Sequence, residues 1–127
     1  MPRSAHMSPN GPAAIGPYSH GVWAGDVLFL SGQTPIDAKT GALAPGGVAD
    51  QTEQVFRNLG AVLEDAGLSL DDVVKTTVFL TSMTDFPEMN AVYGRRFTEP
   101  FPARSTVAVA GLPLGARVEI ELVAKRP

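Results

Sequence analysis

Residues 73–80 read Val-Val-Lys-Thr-Thr-Val-Phe-Leu, a β-branched run set between two segments of helical periodicity. Branching at Cβ restricts the side-chain rotamers and favours the pleated surface of a sheet. With few polar positions on either side, the run predicts a strand covered on much of both faces. Before it, residues 50–66 place Val55, Leu59, Val62, Leu63 and Ala66 on one helical stripe, which Gly67 ends. After it, residues 85–97 carry Pro87 in a first helical turn and Phe86, Met89, Tyr93 and Phe97 on one face, with Asn90 among them.

The remaining segments predict strands. Residues 19–24 and 27–31 flank Gly25-Asp26, a hairpin turn. Pro35 closes the second of them, since it cannot donate to a ladder. Residues 37–47 form a loop turning at Lys39-Thr40-Gly41. Residues 104–109 and 116–125 are the last two strands. In the final one, Val118, Ile120 and Leu122 point one way and Arg117, Glu119, Glu121 and Val123 the other. The order is β-β-α-β-α-β-β. It predicts an α+β domain, one mixed sheet with two helices on one face. Residues 1–11, mixing Pro, Ser, Asn and Gly, are expected to form a flexible arm, and residues 12–127 a single domain. The sheet face bearing Glu119 is left uncovered, an invitation to oligomerise.

Composition narrows the chemistry. Cysteine is absent from the 127 residues, which removes disulfides, thiolate nucleophiles and zinc–sulfur sites, and is compatible with a cytoplasmic location. A net charge of −3 argues against a nucleic-acid footprint. No apolar run approaches the roughly 20 residues of a membrane span. With two histidines in the chain, His6 and His20, a two-histidine metal site is nearly excluded and no metal is expected. No nucleophile elbow or phosphate loop supports a serine triad or a nucleotide site.

Two charges stand out. Arg104 opens an apolar strand behind the rigid Phe101-Pro102-Ala103 lead-in, and a guanidinium receives a planar carboxylate through two parallel N–H···O bonds. A strand-edge arginine in solvent, or one paired with Glu99 or Glu121, fits the same pattern. Glu119 interrupts the final strand and is suited to proton transfer if desolvated, but Glu121 shares its face and the pattern does not choose between them. Tyr18 behind Gly16-Pro17, the Ser31-Gly32 strand end, and Asn90 on its apolar helix face are further candidates, each with a plain packing or capping alternative.

Six segments taken together resemble the RidA/YjgF family of reactive-intermediate deaminases. They are Ala13-Ala14-Ile15-Gly16-Pro17-Tyr18-Ser19, Ser31-Gly32-Gln33, Asp72 through Leu80, Met89-Asn90-Ala91-Val92-Tyr93, Phe101 through Ser105, and Arg117-Val118-Glu119-Ile120-Glu121. The resemblance implies a chorismate-mutase-like fold and a homotrimer with active sites between subunits. It implies hydrolysis of 2-imino acids and their enamines, such as 2-aminoacrylate, to 2-keto acids and ammonia, without cofactor. Carried over by position, Arg104 would bind the substrate carboxylate, and Glu119 would position water and shuttle protons. Tyr18, Ser31, Gly32, Asn90 and Thr106 would shape the pocket. His20 stands where many members have Gln, and Thr106 where some have Cys. The competing readings are a non-catalytic binder of small carboxylates and, further off, a ribonuclease or translation inhibitor.

Overall fold

The computed structural model describes residues 2–127. Six strands form one mixed sheet: β1 (Ser4–His6), β2 (Gly21–Ala24), β3 (Val27–Gln33), β4 (Val73–Leu80), β5 (Ala103–Ala108) and β6 (Val118–Lys125), in the order β1-β2-β3-β6-β4-β5. Two helices, α1 (Val48–Asp65) and α2 (Phe86–Arg96), accompany it. Every pairing is antiparallel except β4 with β5. Parallel neighbours need a crossover connection, and α2 supplies it. Element order and fold class agree with the sequence expectation, apart from an additional strand at the start.

That strand is a correction. Residues 1–11, expected to be a flexible arm, contain β1, which pairs with the outer edge of β2 from Ser4↔Trp23 to His6↔Gly21. The segment is also pinned by side chains: His6 Nε2 lies 2.9 Å from the Val62 carbonyl, and the Ser8 hydroxyl donates to Asp65. A run of Pro, Ser, Asn and Gly says little about partners supplied from 50 residues away.

Alternation sorts the sheet. Leu28 and Leu30 of β3, Val78 and Leu80 of β4, and Val118 and Ile120 of β6 are all buried beneath the helices. The α1 stripe of Val55, Leu59, Val62 and Leu63 covers them and is fully buried. Phe56 of α1 meets Tyr93 and Phe97 edge-on, with ring centroids 5.9 and 5.7 Å apart. Each such pair contributes about 1 kcal/mol beyond its buried area. Glu53 of α1 also pairs with Arg95 and Arg96 of α2. These contacts hold α2 against α1, while Tyr93 reaches Thr76 of β4 and Asn90 reaches Arg104 of β5. The opposite face of the sheet carries Phe29, Val123, Phe79, Glu119 and Glu121, and no element of the chain covers it.

One irregularity bears on function. Leu30 pairs with Leu122 but Gln33 pairs with Ile120, so β3 spends one extra residue and bulges at Ser31-Gly32. A bulge re-aims the local backbone and side chains.

Candidate active site

Arg104 lies on the helix side of β5. The parallel ladder sets it beside Thr76, whose hydroxyl is 2.7 Å from the Tyr93 hydroxyl of α2. The guanidinium carbon stands 4.5 Å from the Tyr93 ring centroid and 5.5 Å from that of Phe86. Nη1 donates to Asn90 Oδ1 at 2.7 Å. Neither Glu99 nor Glu121 pairs with it; a neutral amide does. A guanidinium has five N–H donors, so an uncompensated cation with donors to spare is held in place by two rings and an amide. Thr106 follows on the same face, and its buried hydroxyl oxygen lacks a hydrogen-bond partner. A buried polar atom without a partner calls for one from outside the chain.

Glu119 occupies the other face. In β6 it sits opposite Phe79, between inward-facing Val118 and Ile120. The β3 bulge brings Gly32 against it so closely that a Cβ at position 32 would fall on the carboxylate. Burial pushes the Glu119 carboxyl above the ordinary carboxylate range, and the nearby charge of Glu121 pushes it the same way. Glu121 itself is exposed. The pair that strand alternation left equivalent is therefore separated by environment. Glu119 lies in a cleft of about 540 Å³ shared with Tyr18, Gly32, Ile15, Ile36 and Leu114.

The sequence-derived site residues thus fall into two groups on opposite faces of one sheet. Arg104, Asn90 and Thr106 stand on the helix side near α2. Tyr18, Gly32 and Glu119 stand on the uncovered side. The sheet lies between them within one copy of the chain. Ser31 belongs to neither group, because its hydroxyl donates to the Ser19 carbonyl at 2.6 Å and its N–H to the His20 carbonyl at 2.9 Å. His20 is 3% exposed. Its Nδ1 accepts the Ser8 N–H at 2.7 Å, so Nε2 carries the proton toward the Pro12 carbonyl, also 2.7 Å away. It braces the N-terminal segment and faces no cleft.

Sequence reasoning passed over several residues. Tyr93 and Phe86 read as core positions on a helical stripe, yet they cradle Arg104. Asn58 Nδ2 donates to the Thr34 and Ile36 carbonyls at 3.0 and 2.8 Å, tying the cleft wall to α1. Its place on the inner face of a predicted helix was the available signal. Leu114 stands in a short turn with φ 58°, a left-handed backbone that costs a non-glycine residue about 1–2 kcal/mol. No group of three His, Cys, Asp or Glu able to hold a metal occurs among the described residues. No helix there is long and apolar enough to cross a membrane.

Fold and site together define a small α+β domain that presents an arginine with unused donors on one sheet face and a desolvated glutamate on the other. Residues 8–126 match the family model described as Endoribonuclease L-PSP. The chain belongs to this family, the RidA/YjgF family. It is 50% identical over 120 residues to the 2-iminobutanoate/2-iminopropanoate deaminase of Salmonella typhimurium, covering 92% of this chain and 93% of that one. It is 47% identical over 113 residues to the mouse protein of the same name, covering 89% and 84%. A RutC family protein of Pyrococcus horikoshii is 51% identical over 115 residues, 91% of each chain. Among solved structures, the E. coli YjgF gene product superimposes with a TM-score of 0.91 at 46% identity, covering 98% of this chain and 99% of that one. The relatives confirm the chorismate-mutase-like fold class.

Proposed function

We propose that the protein hydrolyses 2-imino acids, and the enamines in equilibrium with them, to 2-keto acids and ammonia, at sites completed between copies of the chain in a homotrimer. The observation that carries this reading is the separation of the two half-sites by the sheet. Arg104 has spare donors and no anion; Glu119 has a cleft and no carboxylate receptor. Facing copies would supply each with what it lacks. Relatives named as deaminases of 2-iminobutanoate and 2-iminopropanoate support the substrate class.

The chemistry is modest. Arg104 grips the substrate carboxylate through two N–H···O bonds while Asn90 and Tyr93 hold the guanidinium in plane. Orientation of this kind turns attack by water into a local event. Glu119 takes a proton from water as the water oxygen bonds to the carbon of the protonated imine, giving a neutral carbinolamine. The carboxyl then returns that proton to nitrogen. As the C–N bond breaks and ammonia leaves, the Glu119 carboxylate takes the hydroxyl proton and the carbonyl forms; that last proton, brought in by the imine, is released with ammonia as ammonium. A carboxyl raised by burial is suited to both halves of this exchange near neutral pH.

Imines released by an amino-acid oxidase provide the assay. Arg104→Ala is expected to lower kcat/KM by about 10²-fold or more with an unchanged circular dichroism spectrum, since a charge-assisted carboxylate contact is lost. Glu119→Gln is expected to lower kcat by about 10²–10⁴-fold while 2-keto acid binding persists. Wild-type turnover by Arg104→Ala would exclude the mechanism. A folded protein that binds keto acids yet hydrolyses none of these imines would favour the non-catalytic reading.

A further inference from the structure

The half of the cleft that one copy builds beside Glu119 is roomy and largely apolar. The reaction needs room for a carboxylate, a C=N carbon and one water, and a methyl or ethyl side chain fills little of the roughly 540 Å³ left open there for substrate and the facing copy together. Much of the remaining wall is Pro12, Ala13, Ile15, Ile36, Pro113 and Leu114. No lysine or arginine lines it, so an acidic side chain finds no partner there.

Two of these residues are out of place for a folding role. Ile15 is 89% exposed and Leu114 70% exposed, so neither contributes to the core. Leu114 is also the one non-glycine residue with positive φ among those described, next to Gly115 at φ 74°. Glycine would take that conformation freely, and leucine does not. Turn geometry therefore favours a different residue, and core packing gains nothing from this one. A strained backbone that holds an apolar side chain at the mouth of a cleft is accounted for by what enters the cleft.

Resting on the deaminase reading above, we propose that this cleft favours 2-imino acids with branched aliphatic or aromatic side chains, and that Leu114 sets the preference. A larger apolar side chain displaces water from an apolar wall, whereas a methyl group leaves that wall wet. Each methylene accommodated in such a pocket is worth about 10–200-fold in discrimination.

The experiment compares kcat/KM for imines generated from alanine, leucine and phenylalanine. The wild type is expected to favour the leucine and phenylalanine imines over the alanine imine by about tenfold or more. Leu114→Ala, which removes reach, and Leu114→Gln, which keeps length but adds a polar end, are each expected to cut that ratio about tenfold. Equal constants across the three imines overturn the proposal, as does a loss that leaves the ratio intact. Dissociation of the variants in sedimentation likewise overturns it, because Leu114 would then be an assembly residue. Should the wild type hydrolyse no imine, the deaminase reading falls separately. The cleft preference is then read by titration calorimetry with 4-methyl-2-oxopentanoate and pyruvate: tighter binding of the branched acid supports it, and equal binding overturns it.

Discussion

At the scale of single residues, Glu119 shows how one position couples stability to chemistry. Its carboxyl is raised above the ordinary range, first by burial and then by Glu121. The folded chain therefore holds a proton that the unfolded chain releases, over the pH interval between the ordinary glutamate value and the raised one. Where the native state binds more protons, stability falls as pH rises. The contribution is intact below that interval and lost above it. Glu119→Gln removes the titration, so the variant is expected to gain melting temperature over wild type toward neutral and alkaline pH, with the gain shrinking toward about pH 4. Thermal melts across that range decide the matter; a difference independent of pH would count against a desolvated Glu119. From the strand pattern Glu119 and Glu121 were equivalent, because alternation assigns a face but not an environment, and only the family resemblance singled out Glu119. Their difference depends on the β3 bulge, which brings Gly32 to one carboxylate and leaves the other exposed.

At the scale of elements, the helices and the long strands were readable because their signals are local. A stripe of Val55, Leu59, Val62 and Leu63 declares its period within its own length, and so does the β-branched run of β4. What was not readable depends on distant partners. β1 forms because β2 offers an open edge and because His20 brackets its continuation between the Ser8 N–H and the Pro12 carbonyl. His20→Ala leaves the buried Ser8 N–H and the part-buried Pro12 carbonyl without this partner and is expected to destabilise the fold by about 1–3 kcal/mol. Denaturant titration measures the loss, and faster proteolytic cleavage within the first dozen residues would locate it. A stability equal to wild type would mean that the brace holds nothing. The parallel pairing of β4 with β5 was likewise beyond local pattern. It places Arg104 beside Thr76 and under Tyr93, and so decides which face the guanidinium serves.

At the scale of the whole molecule, the proposed sites require Arg104 from one copy and Glu119 from another. Arg104→Ala and Glu119→Gln chains, each inactive alone, can then rescue each other. Co-refolding equal amounts is expected to restore about a quarter of wild-type activity, the chance that a random junction in a closed ring receives both intact residues. The readout is imine hydrolysis before and after mixing. No recovery, despite mixed oligomers visible by native mass spectrometry, would place both residues in one copy's site and contradict their opposite faces.

The opposite-face arrangement has a genetic corollary. In the proposed trimer, a ring of three copies would have three junctions, and every copy would border two of them, giving its arginine to one and its glutamate to the other. A single chain defective in both residues would silence two junctions in any ring it joins. A heterozygous lesion of that kind would behave as dominant, depleting function beyond its share of the protein made, whereas a lesion that merely prevents folding would be recessive. The phenotype of a point substitution would then depend less on how much catalysis it removes than on whether the damaged chain still assembles.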